Sequence, residues 1–274
     1  MAILHNSLIP AAEDTYTVEN SCRFNHGDVP YLSRTPSSTG DTSTFTYSCW
    51  VKRARLEPTG NGDSNDNQYL FAALYGTNLR DQIYFTGADQ KLSVSLGGNH
   101  FNITTAATFR DSASWLHLVV AVDLGQSSDS DRVKIYVNGE LASVTYSGSA
   151  TSSSFNTSGK SHTISGDPWQ PSIAKYKFDG LMSDLHWVDG TAEQPSAFAE
   201  TDSNGQWVPK EYTGDHGTNG FHMPFSTTDG PADSSIVDSS SSPHTITVNG
   251  TVGHSVVEKK VGNSSIYQDN EDDP

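Results

Sequence analysis

The sequence has 274 residues, of which 34% are hydrophobic and 10% aromatic, and its formal net charge is −16. That hydrophobic content is enough for a packed core, so a chain disordered throughout is excluded. The 16 Lys and Arg residues are scattered, which argues against a nucleic-acid surface, and no apolar run approaches the roughly 18 residues of a membrane helix.

Short runs of alternating apolar and polar residues recur along the chain, whereas no longer segment holds a 3.6-residue apolar period. In residues 45–51, the side chains of Phe45, Tyr47 and Val51 share one face, which predicts a strand with one buried side. Residues 115–122 are apolar on both faces, as in a central strand that is covered twice. Further strands are predicted at 16–24, 68–74, 82–85, 92–96, 161–164, 178–188 and 220–225. Strands at this spacing indicate an all-β sandwich or barrel.

The clearest local signal is a hairpin over residues 132–141. Val133 and Ile135 point to one face, and the strand then meets Asn138-Gly139. Both of these residues tolerate a positive φ, which a two-residue type I′ turn requires. A tight turn is therefore predicted at this dipeptide.

Polar segments rich in Gly, Ser, Asp and Asn occur at 57–67, 125–131 and 147–160. We expect them outside the core, at the rim where binding residues usually lie. From residue 226 the composition shifts to Ser, Asp and Pro, which is typical of a linker. The predicted division is an N-terminal arm (1–14), a sandwich domain (15–225), a Ser/Pro-rich linker (226–243) and a C-terminal β appendage (244–274).

The appendage partly repeats the start of the sandwich, since Val261-Gly-Asn-Ser-Ser-Ile-Tyr267 matches Val18-Glu-Asn-Ser-Cys-Arg-Phe24 at several positions. It resembles the opening of a second module. A single sheet face needs a covering layer, so the appendage should pack on the main domain, pair with a neighbouring subunit or be poorly ordered.

We find no pattern of catalytic residues. A retaining glycosidase needs two carboxylates about 5–5.5 Å apart, and no two acids stand two residues apart in an apolar strand. Asp179 and Asp184 are five residues apart and should face opposite sides, Asp179 in a turn and Asp184 as a hydrogen-bonded surface or rim acid. His117 and His186 are predicted to pack with hydrogen bonds instead of ligating a metal. The sequence thus predicts a protein that is not an enzyme.

Two further predictions concern cysteines and metals. Cys22 and Cys49 each lie in a strand-like segment, which favours buried thiols over a disulfide. Acidic loops offer the oxygen ligands that Ca²⁺ prefers, so calcium is kept as a candidate ion beside simple solvation of these acids.

For ligand binding, we looked for an aromatic side chain that could stack on a sugar, with polar groups beside it to fix the hydroxyls. Trp169 and Asp167 occupy a proline-stiffened loop between two strand-like runs, and Tyr75 and Asn78 form a second candidate group. The alternative for Trp169 is that it seals the edge of the sandwich or an intersubunit contact.

Four segments in fixed order, SCWVKR (48–53), WLHLVVAVD (115–123), VKIYVNGE (133–140) and FDGLMSDLHWV (178–188), resemble the laminin-G/pentraxin branch of concanavalin A-like domains. Residues 189–191 (DGT), 204–214 (NGQWVPKEYTG) and 217–221 (GTNGF) are similar to versions of this domain in tail fibres and other virion proteins of marine bacteriophages. The resemblance spans residues 15–225. It implies an antiparallel jelly roll of two curved sheets, with ligands at the loop rim or the concave face.

The resemblance also implies a role. We expect a phage virion protein, either a tail fibre or a capsid decoration, that binds host-surface glycan or assembles the particle with copies of itself and other virion proteins. A free-standing lectin and a polysaccharide hydrolase are the alternatives. Because the first residues lack a secretory signal, we expect assembly in the host cytoplasm without membrane insertion.

Overall fold

The computed structural model describes residues 16–56, 66–225 and 236–256. The predicted N-terminal arm lies outside these ranges, as do residues 226–235 of the linker. The first nine strands are β1 (Asn20–Phe24), β2 (Tyr31–Arg34), β3 (Thr44–Arg53), β4 (Gln68–Gly76), β5 (Leu79–Phe85), β6 (Lys91–Leu96), β7 (Phe101–Thr108), β8 (Leu116–Asp123) and β9 (Val133–Val137). The next nine are β10 (Glu140–Leu141), β11 (Val144–Gly148), β12 (His162–Ile164), β13 (Gly180–Asp189), β14 (Ala199–Thr201), β15 (Trp207–Pro209), β16 (Phe221–Met223), β17 (Thr247–Asn249) and β18 (Gly253–Val256). The helical turns are His26–Asp28, Asp129–Arg132 and Pro195–Ala197.

Two eight-stranded antiparallel sheets form the molecule, which confirms the predicted all-β sandwich. The first sheet has the order β10-β9-β8-β3-β13-β1-β18, with β16 also paired to β13. The second sheet has the order β11-β7-β6-β5-β4-β12-β2-β17. A small β14–β15 ribbon lies apart from both.

The alternating residues of β3 face the second sheet as predicted. Phe45, Tyr47, Cys49 and Val51 are all fully buried in the shared core. Strand β8 is indeed covered on both sides, because its other face packs Val119 into a smaller apolar cluster beneath the segment that follows β13. The sandwich therefore has a third, partial layer over the first sheet.

The hairpin prediction is confirmed in detail. Strands β9 and β10 pair directly, and both Asn138 (φ 50°) and Gly139 (φ 86°) have positive φ. Cys22 and Cys49 are buried free thiols, also as predicted.

The prediction that residues 147–160 lie outside the core is wrong for their centre. Phe155 is fully buried and stacks on Phe71 with ring centroids 5.1 Å apart. Next to it, the Asn156 side chain accepts a hydrogen bond from the Trp187 indole (2.7 Å) and donates one to Asp189 (2.8 Å). The polar composition of the segment led to the wrong prediction. One buried aromatic, Phe155, and one amide with all its hydrogen bonds made, Asn156, are enough to place the centre of the loop in the core.

The chain after residue 236 adds a strand to each sheet. Strand β17 pairs with β2 and β18 pairs with β1. The linker residue Asp238 is buried and accepts hydrogen bonds from the backbone N–H groups of His222 (2.9 Å) and His244 (2.7 Å). These segments thus pack on the main domain.

Candidate functional site

Exposed apolar side chains concentrate on two loops beside the second sheet. Of the six exposed large hydrophobic residues in the described ranges, four lie here: Tyr75, Leu79, Trp169 and Ile173. Trp169 is 40% exposed and Tyr75 is 39% exposed. We call residues 75–80 and 167–173 the Arg80 patch, because Arg80 joins the two loops.

The joint is a buried ion pair. The Arg80 guanidinium donates from Nε to Oδ1 of Asp167 (2.5 Å) and from its second terminal nitrogen to Oδ2. Its other nitrogen donates to the backbone oxygen of Asn78 (3.1 Å), and the Asp167 carboxylate also accepts the backbone N–H of Trp169 (2.9 Å). The fork-to-fork geometry fixes the relative position of the loops.

These contacts bring three of the four predicted binding residues together, namely Trp169, Asp167 and Asn78. Tyr75 lies near the end of β4, in the same β4–β5 hairpin as Asn78, and packs over Gly98, where an added Cβ would lie 2.5 Å from its ring. Asp167, however, is fully buried. Its predicted direct contact with a ligand is therefore wrong: it positions the loop.

Amide side chains extend the patch across the outer face of β5, β6 and β7. Gln82 lies two residues after Arg80, on the same face of β5. Its Nε2 is 3.4 Å from Oδ1 of Asn99, while Ser95 donates to Asn102 (2.7 Å). Gln82 is buried, yet its Oε1 has no hydrogen-bond partner among the described residues. That oxygen is itself shielded from solvent, so a ligand reaches it only if the Gln82 side chain moves.

Lysines surround the patch. Lys160 donates to the Tyr75 backbone oxygen (2.9 Å), and the Lys175 ammonium lies 4.9 Å from the Tyr176 ring centroid. Lys177 is fully buried, with its ammonium 4.1 Å from the Tyr31 ring centroid, and burial lowers its pKa to about 7 although Asp167 acts in the opposite direction. Because the Asp167 carboxylate is already paired with Arg80, the ammonium groups of Lys160 and Lys175 leave positive charge beside the patch.

A serine and a histidine meet on the outer face of the first sheet. Ser48 Oγ is 2.9 Å from Nε2 of His117, and the Trp207 indole donates to Nδ1 of His117 (3.0 Å). An indole N–H can only donate, so the proton of neutral His117 is on Nε2 and points at Ser48. The ring also stacks on Trp50 at 4.7 Å. Because His117 donates to the hydroxyl, it does not act as its base in this arrangement, and the predicted packing role is confirmed.

A second polar group on this face was missed by sequence reasoning. The histidine cluster consists of Asp184, His186, His216 and His222. Oδ1 of Asp184 accepts from Nε2 of His186 (3.2 Å) and of His222 (2.9 Å), and Nδ1 of His186 is 3.1 Å from Nε2 of His216. His186 is hydrogen-bonded as predicted, but Asp184 is buried, which corrects its placement at the surface or rim.

In the histidine cluster, electrostatics favour the ionised form of Asp184 and the uncharged forms of His186 and His216. Burial alone would raise the pKa of Asp184, but His186 and His222 hold it well below the usual range. Burial lowers the pKa of His186, and it lowers that of His216 to about 4. The spacing Asp184-x-His186 was the only local signal, since His222 joins through strand pairing.

The carboxylates of Asp41 and Asp189 at the sandwich rim already accept hydrogen bonds from the protein. Asp189 accepts from the backbone of Asp41 (2.8 Å) and Asn219 (2.9 Å), and Asp41 in turn accepts from Ser43 and Thr44. These oxygens stabilise the chain turns here. The calcium hypothesis gains no support from them and stays a prediction.

The described helices are too short or too polar to cross a bilayer.

Comparison with known proteins gives one family match. Residues 27–197 match the model of the concanavalin A-like lectin/glucanases superfamily. No curated protein matches the chain.

Several solved structures are similar at low identity. A native heptameric SAP-like pentraxin from Limulus polyphemus is 14% identical, with a TM-score of 0.44 over 64% of this chain and 78% of that one. Domains LG4-5 of the mouse laminin alpha1 chain are 13% identical, with a TM-score of 0.43 over 72% of this chain and 47% of that one. The enzymatically active domain of bacteriophage CBA120 tailspike protein 2 is 12% identical, with a TM-score of 0.36 over 61% of this chain and 25% of that one.

Proposed function

Because this chain belongs to the concanavalin A-like lectin/glucanase superfamily, we propose that it is a carbohydrate-binding module and that the Arg80 patch binds the glycan. The observation that carries this proposal is the pair of exposed aromatic residues, Trp169 and Tyr75, on loops held by a buried ion pair. An exposed aromatic face stacks on the C–H face of a sugar. A rigid base lowers the entropy lost on binding.

The polar surroundings of the patch favour an acidic polysaccharide. Lys160, Lys175 and Lys177 lie beside or beneath the patch, whereas Asp167 is neutralised by Arg80. The chain as a whole carries a net charge of −16, so this local excess of cations distinguishes the patch from the average surface. Uronic or other carboxylated sugars fit that charge.

Binding without cleavage is part of the proposal. The His117 imidazole donates a hydrogen bond to the Ser48 hydroxyl, so it is not placed to accept the hydroxyl proton. Within the patch, the Asp167 carboxylate is buried and paired, so it is not a general acid or nucleophile for a sugar at Trp169.

We further propose that the module belongs to a bacteriophage virion, where it attaches the particle to host polysaccharide. Support comes from the resemblance of residues 189–221 to virion proteins of marine phages. Copies of the chain would occupy symmetric positions beside other virion proteins. Labelling purified particles with an antibody against this chain tests the proposal, because signal at a tail fibre or capsid is expected. Particles free of the chain by mass spectrometry would refute it.

The binding proposal is tested by affinity electrophoresis in host capsular polysaccharide. We expect Trp169→Ala to weaken binding at least tenfold, since the stacking surface is lost. Leu141→Ala is the matched control, because Leu141 is 61% exposed on the β9–β10 hairpin of the other sheet. Retention should also be weaker in a neutral dextran gel than in the acidic polymer.

Each other outcome has a distinct meaning. Equal retention of Trp169→Ala and Leu141→Ala would reject the patch as the binding surface. Shortening of the polysaccharide by the wild-type chain would show a hydrolase. A change of oligomeric state in light scattering, with retention unaltered, would make Trp169 an intersubunit contact.

A further inference from the structure

Strand pairing brings three potential metal ligands onto the outer face of the first sheet. His186 of β13 lies directly opposite His222 of β16. Asp184 precedes His186 by two residues, at an irregularity between Ser183 and His186 where β13 changes register against β3. Asp184 has a φ of 47°, a strained backbone for a residue other than glycine. The bulge turns its carboxylate toward both imidazoles.

We propose that Asp184, His186 and His222 bind one divalent transition-metal ion of the Zn²⁺ type. One ligand atom from each residue lies within 4.8 Å of the others. Oδ1 of Asp184 is 3.2 Å from Nε2 of His186 and 2.9 Å from Nε2 of His222. Bonds of about 2.0–2.1 Å around tetrahedral zinc place ligand atoms roughly 3.3 Å apart. The Tyr16 hydroxyl also donates to this oxygen (2.9 Å). An ion can therefore replace the two imidazole protons that point at the oxygen, while Tyr16 keeps its hydrogen bond to Asp184.

Ring orientation shows what must move on binding. The His186 and His222 rings are 8° from parallel, with centroids 4.0 Å apart. Imidazole lone pairs lie in the ring planes, so one ion cannot lie in both planes until a ring turns. The His222 side chain is 16% exposed, against 2% for His186. His222 is therefore the ligand that rotates, and it also opens the path for the ion.

His216 supports the less mobile ligand. Its Nε2 lies 3.1 Å from Nδ1 of His186. When Nε2 of His186 binds a metal, its proton resides on Nδ1 and is donated to His216, which fixes the ring as outer partners of metal-bound histidines do. His216 is a positioning residue in this arrangement.

The donor set decides the class of ion. Two imidazole nitrogens and one carboxylate suit Zn²⁺, Co²⁺ or Fe²⁺, while Ca²⁺ and Mg²⁺ prefer oxygen ligands throughout. The ion would join β13 to β16 in the first sheet, whereas the Arg80 patch lies on the second sheet. It would therefore stabilise the partial outer layer independently of glycan binding.

The test titrates the chelator-treated full chain with Zn²⁺ alone by calorimetry and with Co²⁺ by visible absorption. We expect one equivalent of ion, a higher Tm in Zn²⁺ and d–d bands of a nitrogen- and oxygen-ligated Co²⁺. His222→Ala should weaken the affinity at least tenfold, and His216→Ala should do so by about tenfold. His100→Ala is the matched control, because His100 is exposed in the β6–β7 turn.

Two results would overturn the site. One is the absence of stoichiometric binding by the wild-type chain. The other is equal affinity of His222→Ala and His100→Ala. Should His222→Ala fail to fold by circular dichroism, His222→Gln keeps the side-chain size and is judged by the same comparison.

Discussion

Replacing Arg80 by methionine tests the ion pair on which the proposed binding surface depends. Asp167 is fully buried and would lose its hydrogen bonds from two guanidinium nitrogens, keeping the backbone N–H of Trp169. Removing one partner of a buried pair costs about 3–5 kcal/mol, because the remaining charge is left uncompensated. We therefore expect Arg80→Met to lower the free energy of unfolding by about 3 kcal/mol or more, measured by urea denaturation at pH 7.

A second substitution separates the charge from the packing. Asp167→Asn keeps an oxygen for the Trp169 N–H but removes the negative charge, so Arg80→Met with Asp167→Asn should be more stable than Arg80→Met alone. Glycan retention should fall in both variants, because the loops carrying Tyr75 and Trp169 are no longer joined. The reasoning is refuted if Arg80→Met costs less than about 1 kcal/mol, or if the double variant recovers no stability.

Two other predictions concern the core. Burial lowers the pKa of His162 to about 4 in the folded chain. In the unfolded chain the pKa has its ordinary value of about 6.5, so the unfolded chain binds the proton more readily. The free energy of unfolding therefore decreases as the pH falls from about 6.5 to about 4. His162→Gln should reduce this pH-dependent loss of stability by up to about 3 kcal/mol, measured by urea denaturation at pH 7 and pH 4.5. Identical pH profiles of the wild-type chain and His162→Gln would contradict the lowered pKa of His162. Phe155→Ala should cost about 3–5 kcal/mol, because Phe155 fills the core between Phe71 and Trp187. The exposed neighbour Ser152 serves as the control, and a similar small effect for Ser152→Ala and Phe155→Ala would show that the loop is not part of the core.

The strands could be predicted because their signal is local. In β3, residues two apart along the chain share a face, so their alternation alone predicts which side is buried. Asn138-Gly139 likewise specifies its turn through its own backbone preferences. Trp169 was found as a candidate for the same reason, since its proline-flanked segment predicts an ordered loop.

Phe155 and Asp184 show where local signals fail. The Ser-rich composition around Phe155 predicts a solvated loop, yet its ring stacks on an aromatic 84 positions earlier in the chain, Phe71. Asp184 reads as a surface acid until a bulge turns it toward His186 and His222. The residues next to Phe155 and Asp184 in the sequence therefore give no sign of these contacts.

The amino-acid sequence by itself determined the all-β class, the apolar faces of the strands, the tight hairpin and the exposed aromatic of the loop at 169, because each depends on residues a few positions apart. Only the tertiary structure decided which polar groups meet. Arg80 reaches Asp167 across 87 positions, and the β13–β16 register sets His186 beside His222. Such pairs form where sheet order and strand register bring distant side chains within hydrogen-bonding reach, and neither quantity is encoded in a short run of residues.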